Sequence, residues 1–152
     1  MHRNSNIFAL GLAALVLLVS ACTGNRPETL GSINNRLSPC PPSPNCVSSF
    51  ASDAEHKISP YPVTGPPEKF WTQLKHVLNG MERVHIVTDQ EHYLHAEFTS
   101  RWFRFVDDVE FLLDAKTKTL HFRSASRTGY GDMGVNRERM EIIRQRLSTP
   151  SR

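Results

Sequence analysis

Apolar and polar residues alternate in four stretches in the second half of the chain, and this pattern predicts four strands. The predicted strands cover residues 83–88, 92–100, 108–114 and 119–126. The short turns between the first two strands and between the last two allow antiparallel hairpins but no parallel crossover. In the second strand, for example, Leu94, Ala96 and Phe98 share one face and polar residues occupy the other. We therefore expect an antiparallel sheet with one apolar face and one polar face.

Apolar residues spaced three or four positions apart predict a helix on each side of these strands. The first helix should begin near Pro67, where proline is tolerated, and end at Asn79. The second should run from Arg137 to about Leu147, with Asn136 as its N-cap. A helix, four strands and a helix predict an α+β fold: a four-stranded antiparallel sheet with two helices packed on one face.

The N-terminal residues have the pattern of a secretory signal. A basic start precedes an apolar run over residues 7–19, which is too short for a membrane-spanning helix. The sequence Val19-Ser20-Ala21-Cys22 follows, and it resembles the lipobox of bacterial lipoproteins. The resemblance implies that residues 1–21 are a lipoprotein signal peptide. It also implies that acyl groups such as palmitate are attached to the thiol of Cys22 and to its new amino terminus. An ordinary signal peptide that carries a cysteine by chance is the alternative. Because Thr23 and not aspartate follows Cys22, the resemblance also implies the outer membrane, with the protein facing the periplasm.

Composition divides the remaining chain into a tether and one domain. Residues 22–38 are rich in Asn, Gly, Ser, Thr and Arg, and we predict that they form a flexible tether. Residues 39–149 are sufficient for a single α+β domain. Without residues 1–21 the chain keeps 17 of its 18 basic residues, since only Arg3 is lost, against 15 acidic residues. This near-neutral balance argues against a nucleic-acid partner.

Cysteine usage predicts one disulfide. If Cys22 carries lipid, Cys40 and Cys46 remain as an even pair in an oxidising compartment. A metal site or a redox pair is the alternative. A redox pair usually has two intervening residues, whereas five residues, several of them proline, separate these cysteines. We therefore predict a structural disulfide between Cys40 and Cys46.

Arginines cluster where the last predicted strand passes through a glycine-rich loop into the final helix. Arg123 and Arg127 are an even number of residues apart, so they share one face of a regular strand. Arg137 and Arg139 fall in the first turn of the helix, where the helix dipole favours anions over cations. We therefore expect anions to hold these four arginines, as an anion-binding corner. The internal candidates are Asp107, Asp108, Glu110 and Asp132. Arg123 and Arg127 are expected to pair internally, and Arg137 to bind an external phosphate, sulfate or carboxylate.

The polar face of the sheet offers other chemistry. Glu97, Asp108 and Glu110 predict either a ladder of ion pairs with arginine or the carboxylate and histidine face of a small hydrolase. His92, His95 and Glu97 suggest a metal site, together with Asp107, Asp108 and Glu110. Because the two histidines point to opposite faces of a regular strand, we expect no metal and no other cofactor.

A serine nucleophile is a further catalytic possibility. Ser124 or Ser126 would need His121 or His95 as its base. No known serine motif surrounds these residues, so we do not expect covalent catalysis.

Asp107 interrupts the alternation of the third strand. In a regular strand it would face the apolar side, where a carboxylate needs arginine or backbone donors. A β-bulge at residues 107–108 that turns this side chain outward is the alternative.

Five motifs of this chain together resemble one family. They are Cys40-Pro-Pro-Ser-Pro-Asn-Cys46-Val-Ser-Ser, Tyr93-Leu-His-Ala-Glu97, Val106-Asp-Asp-Val-Glu-Phe111, Arg123-Ser-Ala-Ser-Arg127-Thr-Gly and Gly134-Val-Asn-Arg137. The chain resembles the bacterial family catalogued as domain of unknown function 1499 from Cys40 to the final helix. The resemblance implies a single extracytoplasmic domain, often anchored by lipid, and implies no particular activity.

These features together predict a lipid-anchored protein of the bacterial cell envelope that is a binding or interaction module and not an enzyme. Its expected partners are the membrane, through the lipid anchor, and an anionic ligand or an envelope protein. A small envelope hydrolase and a purely structural envelope protein are the two alternatives. A deep pocket that holds the polar side chains would favour the hydrolase, and a fully paired sheet face would favour the structural role.

Overall fold

Residues 24–149 are described by the structure, a computed structural model, and form one main antiparallel sheet, one small hairpin and two helices. In chain order the elements are β1 (Ser32–Ile33), β2 (Arg36–Leu37), β3 (Cys46–Ser48), β4 (Tyr61–Pro62), α1 (Pro67–Asn79), β5 (Val84–Asp89), β6 (Tyr93–Thr99), β7 (Val106–Asp114), β8 (Thr119–Ser126) and α2 (Val135–Ser148). Neither helix combines the length and the apolar composition of a membrane span within these described residues.

The main sheet has six strands, not the four expected. Its order is β3-β8-β7-β6-β5, and β4 also pairs with β8. All of the pairings are antiparallel, so the α+β class is confirmed. The two added strands lie along β8, where Cys46 pairs with Ala125 and Tyr61 with Leu120. Strands of two or three residues that contain or follow proline show no alternation, which is why the sequence pattern missed them.

Both helices pack on the apolar face of the sheet, as expected. The core joins the inward residues of β6, β7 and β8, such as Leu94, Phe111 and Leu120, to the two helices. Leu74 of α1 and Met140 of α2 are among the fully buried side chains. Burial of such side chains contributes about 1.5 to 3 kcal/mol each, so this face supplies the main stabilisation of the fold.

Asp132, rather than Asn136, caps the final helix. α2 begins at Val135, two residues before the predicted start, and its cap position Gly134 has φ 82°. The carboxylate of Asp132 accepts hydrogen bonds from the backbone N–H of Gly134 at 3.0 Å and of Asn136 at 2.8 Å. Burial opposes ionisation of Asp132, but these N–H donors hold the pKa of its carboxyl below the ordinary value. The N-terminus of α2 therefore already holds an anion from the chain itself.

The segment predicted to be a flexible tether instead covers the polar face of the sheet in the part that the structure describes, residues 24–38. Its hairpin, β1 and β2, brings Leu37 into a small apolar cluster with Tyr93 and Leu112. The backbone N–H of Gly31 donates to a carboxylate oxygen of Glu110 at 2.8 Å. The composition of the segment gave no sign of this, because a few specific contacts, and not many apolar residues, hold it in place. The predicted signal peptide and Cys22 lie outside the described residues.

Candidate functional site

The polar face of the sheet carries a buried network of charged residues. Glu97 of β6 pairs directly with Asp108 of β7, and Ala125 of β8 is the next partner in that row. Arg127 follows Ala125 by two residues, so its side chain returns to the same face of the sheet. It therefore reaches both carboxylates. Its Nε lies 2.8 Å from Oδ2 of Asp108, its Nη2 lies 2.7 Å from Oδ1, and Nη2 also donates to Glu97. A single guanidinium therefore bridges two facing carboxylates, and Arg26 supplies a second cation to Glu97.

These contacts set the charge states of the network. Burial alone would raise the pKa of Asp108, but Arg127 and His95 outweigh it and hold this pKa below the ordinary value. Glu97 behaves in the same way, since burial is outweighed by Arg127 and by Arg26 of the covering segment. In turn Asp108, and then Glu97, raise the pKa of Arg127. The result is a set of permanent ions rather than groups that exchange protons near neutral pH.

Glu110 is the most enclosed member of the network. Its side chain has no exposed surface and accepts hydrogen bonds from the Tyr93 hydroxyl at 2.8 Å and from Nη1 of Arg123 at 3.1 Å, besides the bond from Gly31. Burial, and then the charge of Glu110, raise the pKa of Tyr93, so this phenol stays protonated and donates. Arg123 is also buried, yet its Nε has no hydrogen-bond partner among residues 24–149. A buried donor without a partner costs about 1 to 3 kcal/mol.

Arg123 and Arg127 line a pocket of about 390 Å³ at the edge of this network. Asp108 and neighbouring β8 residues belong to the same wall. The covering segment and the disulfide loop close the other side with Pro27, Thr29, Pro39, Cys40 and Pro41. Cys40 and Cys46 form the predicted disulfide, which holds the loop beside β8. We call this cavity the arginine pocket.

Asp107 and Arg139 form a second cluster on the opposite face of the sheet. β7 pairs without interruption past Asp107, so the bulge alternative is wrong and this side chain faces the apolar side. Nη2 of Arg139 donates to Asp107, which supplies the partner that a buried carboxylate requires. Nη1 of Arg139 donates to Ser124 and to Asn136, and the guanidinium stacks 4.8 Å above the ring of Phe98.

The four arginines of the predicted corner do not meet at one place. Arg123 and Arg127 lie on the polar face, whereas Arg139 lies on the opposite face. Arg137, the residue expected to bind an external ligand, donates instead to the backbone carbonyls of Lys57 at 2.9 Å and Glu55 at 2.8 Å. Arg137 therefore fastens the chain before β4 to the final helix.

A larger cleft of about 620 Å³ borders the Asp107 cluster. It lies between the start of α2 and the chain after α1, and Arg139 and Phe98 form part of its wall. The donors of Arg139 are already directed to Asp107, Ser124 and Asn136. We therefore place the candidate site in the smaller arginine pocket, which is lined by Arg123, a side chain whose buried Nε lacks a partner among residues 24–149.

His95, Glu97 and Asp108 could bring three metal-ligand atoms within 4.8 Å of one another. His92, the other histidine of the metal hypothesis, is exposed. The guanidinium of Arg127 contacts both carboxylates, so a fixed cation of the chain occupies the place where an ion would be coordinated.

The serine hypothesis receives no geometric support among the described residues. Ser124 donates to Asn136 and accepts from Arg139, whereas His121 contacts Ser49 at 3.2 Å. His95 contacts Asp108, not a serine. Neither proposed base therefore faces Ser124.

Three residues that complete the buried network were missed from the sequence, Arg26, Gly31 and Tyr93, and so was Asn45, which contacts a partner of Arg139. Arg26 donates to Glu97 at 2.6 Å, and the backbone oxygen of Asn45 accepts from the amide of Asn136 at 3.0 Å. Tyr93 alone had a signal, because it alternates onto the polar face with His95. The other contacts join distant parts of the chain and leave no local pattern.

The comparison with family models identifies the family to which this chain belongs. Residues 36–147 match the model described as protein of unknown function (DUF1499), which covers most of the sequence. The chain belongs to this family. The match includes the disulfide loop, β3 to β8 and nearly all of α2, so the arginine pocket lies mainly within the DUF1499 region. Comparisons with curated proteins and with solved structures give no match.

Proposed function

We propose that this DUF1499 protein is a lipid-anchored binding module of the bacterial envelope that holds an anionic group in the arginine pocket. The observation that carries the proposal is Arg123, whose side chain is buried and whose Nε lacks a partner within the described chain. Support for the compartment comes from the signal and lipobox pattern before Cys22 and from the Cys40–Cys46 disulfide.

The geometry of Arg123 favours a ligand over simple internal pairing. Glu110 takes one hydrogen bond from Nη1 and has already accepted two others, from Tyr93 and Gly31. Arginine presents five N–H donors, so one such bond leaves most of its capacity unused. An oxyanion that reaches the guanidinium would satisfy the donors that Glu110 does not.

The chemical class of the ligand follows from the arginine side chains. A guanidinium binds carboxylate and phosphate through paired hydrogen bonds, which lysine cannot reproduce. The volume of about 390 Å³ suits a small ligand or one headgroup of a larger molecule. Asp108 stands in the same wall, but its charge is compensated by Arg127, so it repels an anion less than a free carboxylate would.

The two alternatives are weaker for different reasons. A hydrolase on the carboxylate face needs a group that exchanges protons near neutral pH, whereas Glu97 and Asp108 have lowered pKa values and are held by Arg127. A purely structural role is favoured by the ion pairs Asp108–Arg127 and Asp107–Arg139. It leaves the unpartnered Nε of Arg123 unexplained.

Thermal unfolding in the presence of anions tests the proposal. The protein should be stabilised by phosphate, sulfate or a small carboxylate beyond the effect of chloride at the same ionic strength. Arg123→Lys keeps the charge opposite Glu110 but removes Nε, so it should abolish this stabilisation. Arg137→Lys is the matched control, because Arg137 contacts backbone carbonyls away from the pocket.

Two results would contradict anion binding in the arginine pocket. If the wild type gains no more stability from any of these anions than from chloride, or if Arg123→Lys gains as much as the wild type, the pocket does not bind anions. The structural role then becomes the better account of the buried network.

A further inference from the structure

Two loops with exposed apolar side chains leave the same end of the main sheet. One joins β6 to β7 over residues 100–105, and the other joins β8 to α2 over residues 127–134. Their exposed apolar residues, with Val135 at the helix start, are Trp102, Phe103, Phe105, Tyr130, Met133 and Val135. Trp102 is 80% exposed and Tyr130 is 78% exposed. We call these six residues the aromatic tip.

The two loops are held beside each other by the backbone. Asp107 pairs with Ser126 in the sheet, and the next N–H, that of Arg127, donates to the carbonyl of Val106 at 3.1 Å. The loops therefore begin from adjacent strand ends. Their apolar residues form one end of the molecule rather than scattered surface positions, and clustered apolar exposure marks an interaction surface.

The first loop has a defined shape that keeps its aromatic residues exposed. Ser100 donates through its N–H to the carbonyl of Phe105 at 2.8 Å, and its hydroxyl accepts from the N–H of Phe105 at 2.9 Å. The rings of Phe103 and Phe105 stack with centroids 5.7 Å apart. A loop closed in this way presents Trp102 and Phe103 at its turn.

Charge at this end of the molecule favours an anionic surface as the partner. Arg101 and Arg104 are both exposed, and Arg101 lies 5.2 Å from the ring of Trp102. Two of the nearby acids already have partners, since Asp132 caps α2 and Glu82 pairs with Arg83, whereas the exposed Glu138 lies in the first turn of α2. Tryptophan, tyrosine and arginine side by side are typical of protein surfaces at the interface of a bilayer.

The start of the described chain lies at the same end. Gly24 has φ 64°, and a side chain there would come within 2.8 Å of Cβ of Arg127 and 2.9 Å of Cγ2 of Thr128. Gly24 therefore lies beside the second loop, and it follows Cys22 by two residues, which span at most about 7 Å. An acyl group on Cys22, which rests on the proposed function, would enter a bilayer beside the aromatic tip.

We propose that the aromatic tip inserts into the interfacial region of a bilayer containing anionic phospholipids. The six apolar residues enter the level of the headgroups, and Arg101 and Arg104 contact lipid phosphates. Insertion fixes the orientation of the domain on its anchor. An inserted tip adds a second point of attachment beside the acyl groups of Cys22.

Tryptophan fluorescence tests the proposal on the full-length protein extracted from membranes and reconstituted into vesicles. The chain has two tryptophans, and Trp71 is buried in the core, so Trp102 reports the position of the tip. In phosphatidylcholine–phosphatidylglycerol vesicles with brominated acyl chains, we expect Trp102 emission to shift to shorter wavelength and to be largely quenched. Trp102→Phe should remove the quenched component and leave the emission of Trp71.

A matched pair of variants tests the role of charge. Arg101→Asn with Arg104→Asn should reduce the quenching in vesicles that contain phosphatidylglycerol. Asparagine suits position 104, where φ is 58°. The control removes two charges from the turn at the opposite end of β7 and β8, by Lys116→Asn with Lys118→Asn, where Lys118 has a similar φ of 51°. This control should keep the quenching of the wild type.

Intact mass measured on the same sample separates the two proposals. Acylated protein whose Trp102 remains quenched by aqueous acrylamide and not by brominated lipid contradicts insertion while leaving the anchor in place. Unacylated protein whose Trp102 is quenched by the lipid contradicts the anchor and supports insertion. Protection of Trp102 in a self-associated form without lipid would assign the tip to contacts between copies and overturn the proposal.

Discussion

Asp108 and Arg127 form a two-point ion pair, with Nε 2.8 Å from Oδ2 and Nη2 2.7 Å from Oδ1. Both side chains are buried, the carboxylate 1% and the guanidinium 7% exposed. Such a pair combines Coulomb attraction in a shielded site with the fixed geometry of the planar guanidinium. It joins the first part of β7 to the residue that follows β8, where the glycine-rich loop begins.

Replacement of Arg127 should be strongly destabilising. Arg127→Ala leaves Asp108 buried and uncompensated, so we expect a loss of about 3 to 5 kcal/mol in the free energy of unfolding. Arg127→Lys keeps the charge but cannot make both bonds, and should lose about 1 to 3 kcal/mol. Urea unfolding measures both values, with Arg137→Lys as the partly exposed control. A loss below about 1 kcal/mol for Arg127→Ala would show that the pair adds little to stability.

The same network should make the protein sensitive to acid. The pKa values of Asp108 and Glu97 lie below their ordinary values of 3.8 and 4.5. The unfolded chain therefore binds protons at a higher pH than the folded chain, and stability rises with pH in this window. The contribution of these two carboxylates to the free energy of unfolding is complete above about pH 4.5. It is lost as the pH falls through their lowered pKa values in the folded protein.

Glu97→Gln isolates part of this pH effect, since it removes one titrating group that Arg127 and Arg26 hold. The variant should be less stable than the wild type at neutral pH and should lose less stability on acidification. Equilibrium unfolding at a series of pH values compares the slopes, with the exposed Glu91→Gln as control. Equal slopes for Glu97→Gln and the wild type would refute the assignment.

The strands and the apolar face could be predicted because their signal is local. Leu94, Ala96 and Phe98 alternate regularly, and the structure buries all three on the helix side. Asp107 was the most informative exception, because its position in the alternation required a buried partner, and Arg139 is that partner. A break in a regular pattern thus indicated a real contact, although not which arginine would make it.

The remaining features depend on contacts between distant residues. The covering segment has Leu37 as its one buried residue in β1 and β2, and Arg26 and Gly31 attach it to acids about 70 to 80 positions away. No periodicity marks such a segment. The N-cap was missed for a related reason: Asn136 and Asp132 are both good caps, and the buried amide bonds of Asn136 to Ser124, Ser126 and Asn45 decide between them.

The capping role of Asp132 gives a third prediction. Asp132→Ala removes the acceptor for two backbone N–H groups, so it should cost about 0.5 to 2 kcal/mol of stability. Glu138→Ala removes a negative charge from the first turn of α2 without removing a cap, and should cost less, about 0.3 to 1 kcal/mol. Chemical denaturation of the two variants side by side measures the difference. If the two variants lost the same stability, Asp132 would act only through its negative charge and not through its hydrogen bonds to the backbone.

Attachment to the membrane gives a fourth prediction. Cys22 follows Val19-Ser20-Ala21, so cleavage and acylation there should leave the mature protein in the membrane fraction, with a mass increased by its acyl groups. Cys22→Ala should abolish acylation and change the fractionation of the protein. Membrane fractionation of the wild type and of Cys22→Ala makes the comparison quantitative. A wild-type protein whose mass shows no acyl groups would contradict the anchor.

The side-chain Nε–H resonance of Arg123 in an NMR anion titration tests the central claim most directly, because that N–H is a buried donor of a pocket-lining arginine and has no partner in the described chain. The account predicts a saturable shift of this resonance with phosphate, sulfate or a carboxylate, no comparable shift with chloride, and little change at Arg137. A resonance that stays unchanged at all concentrations of these anions would contradict anion binding in the arginine pocket.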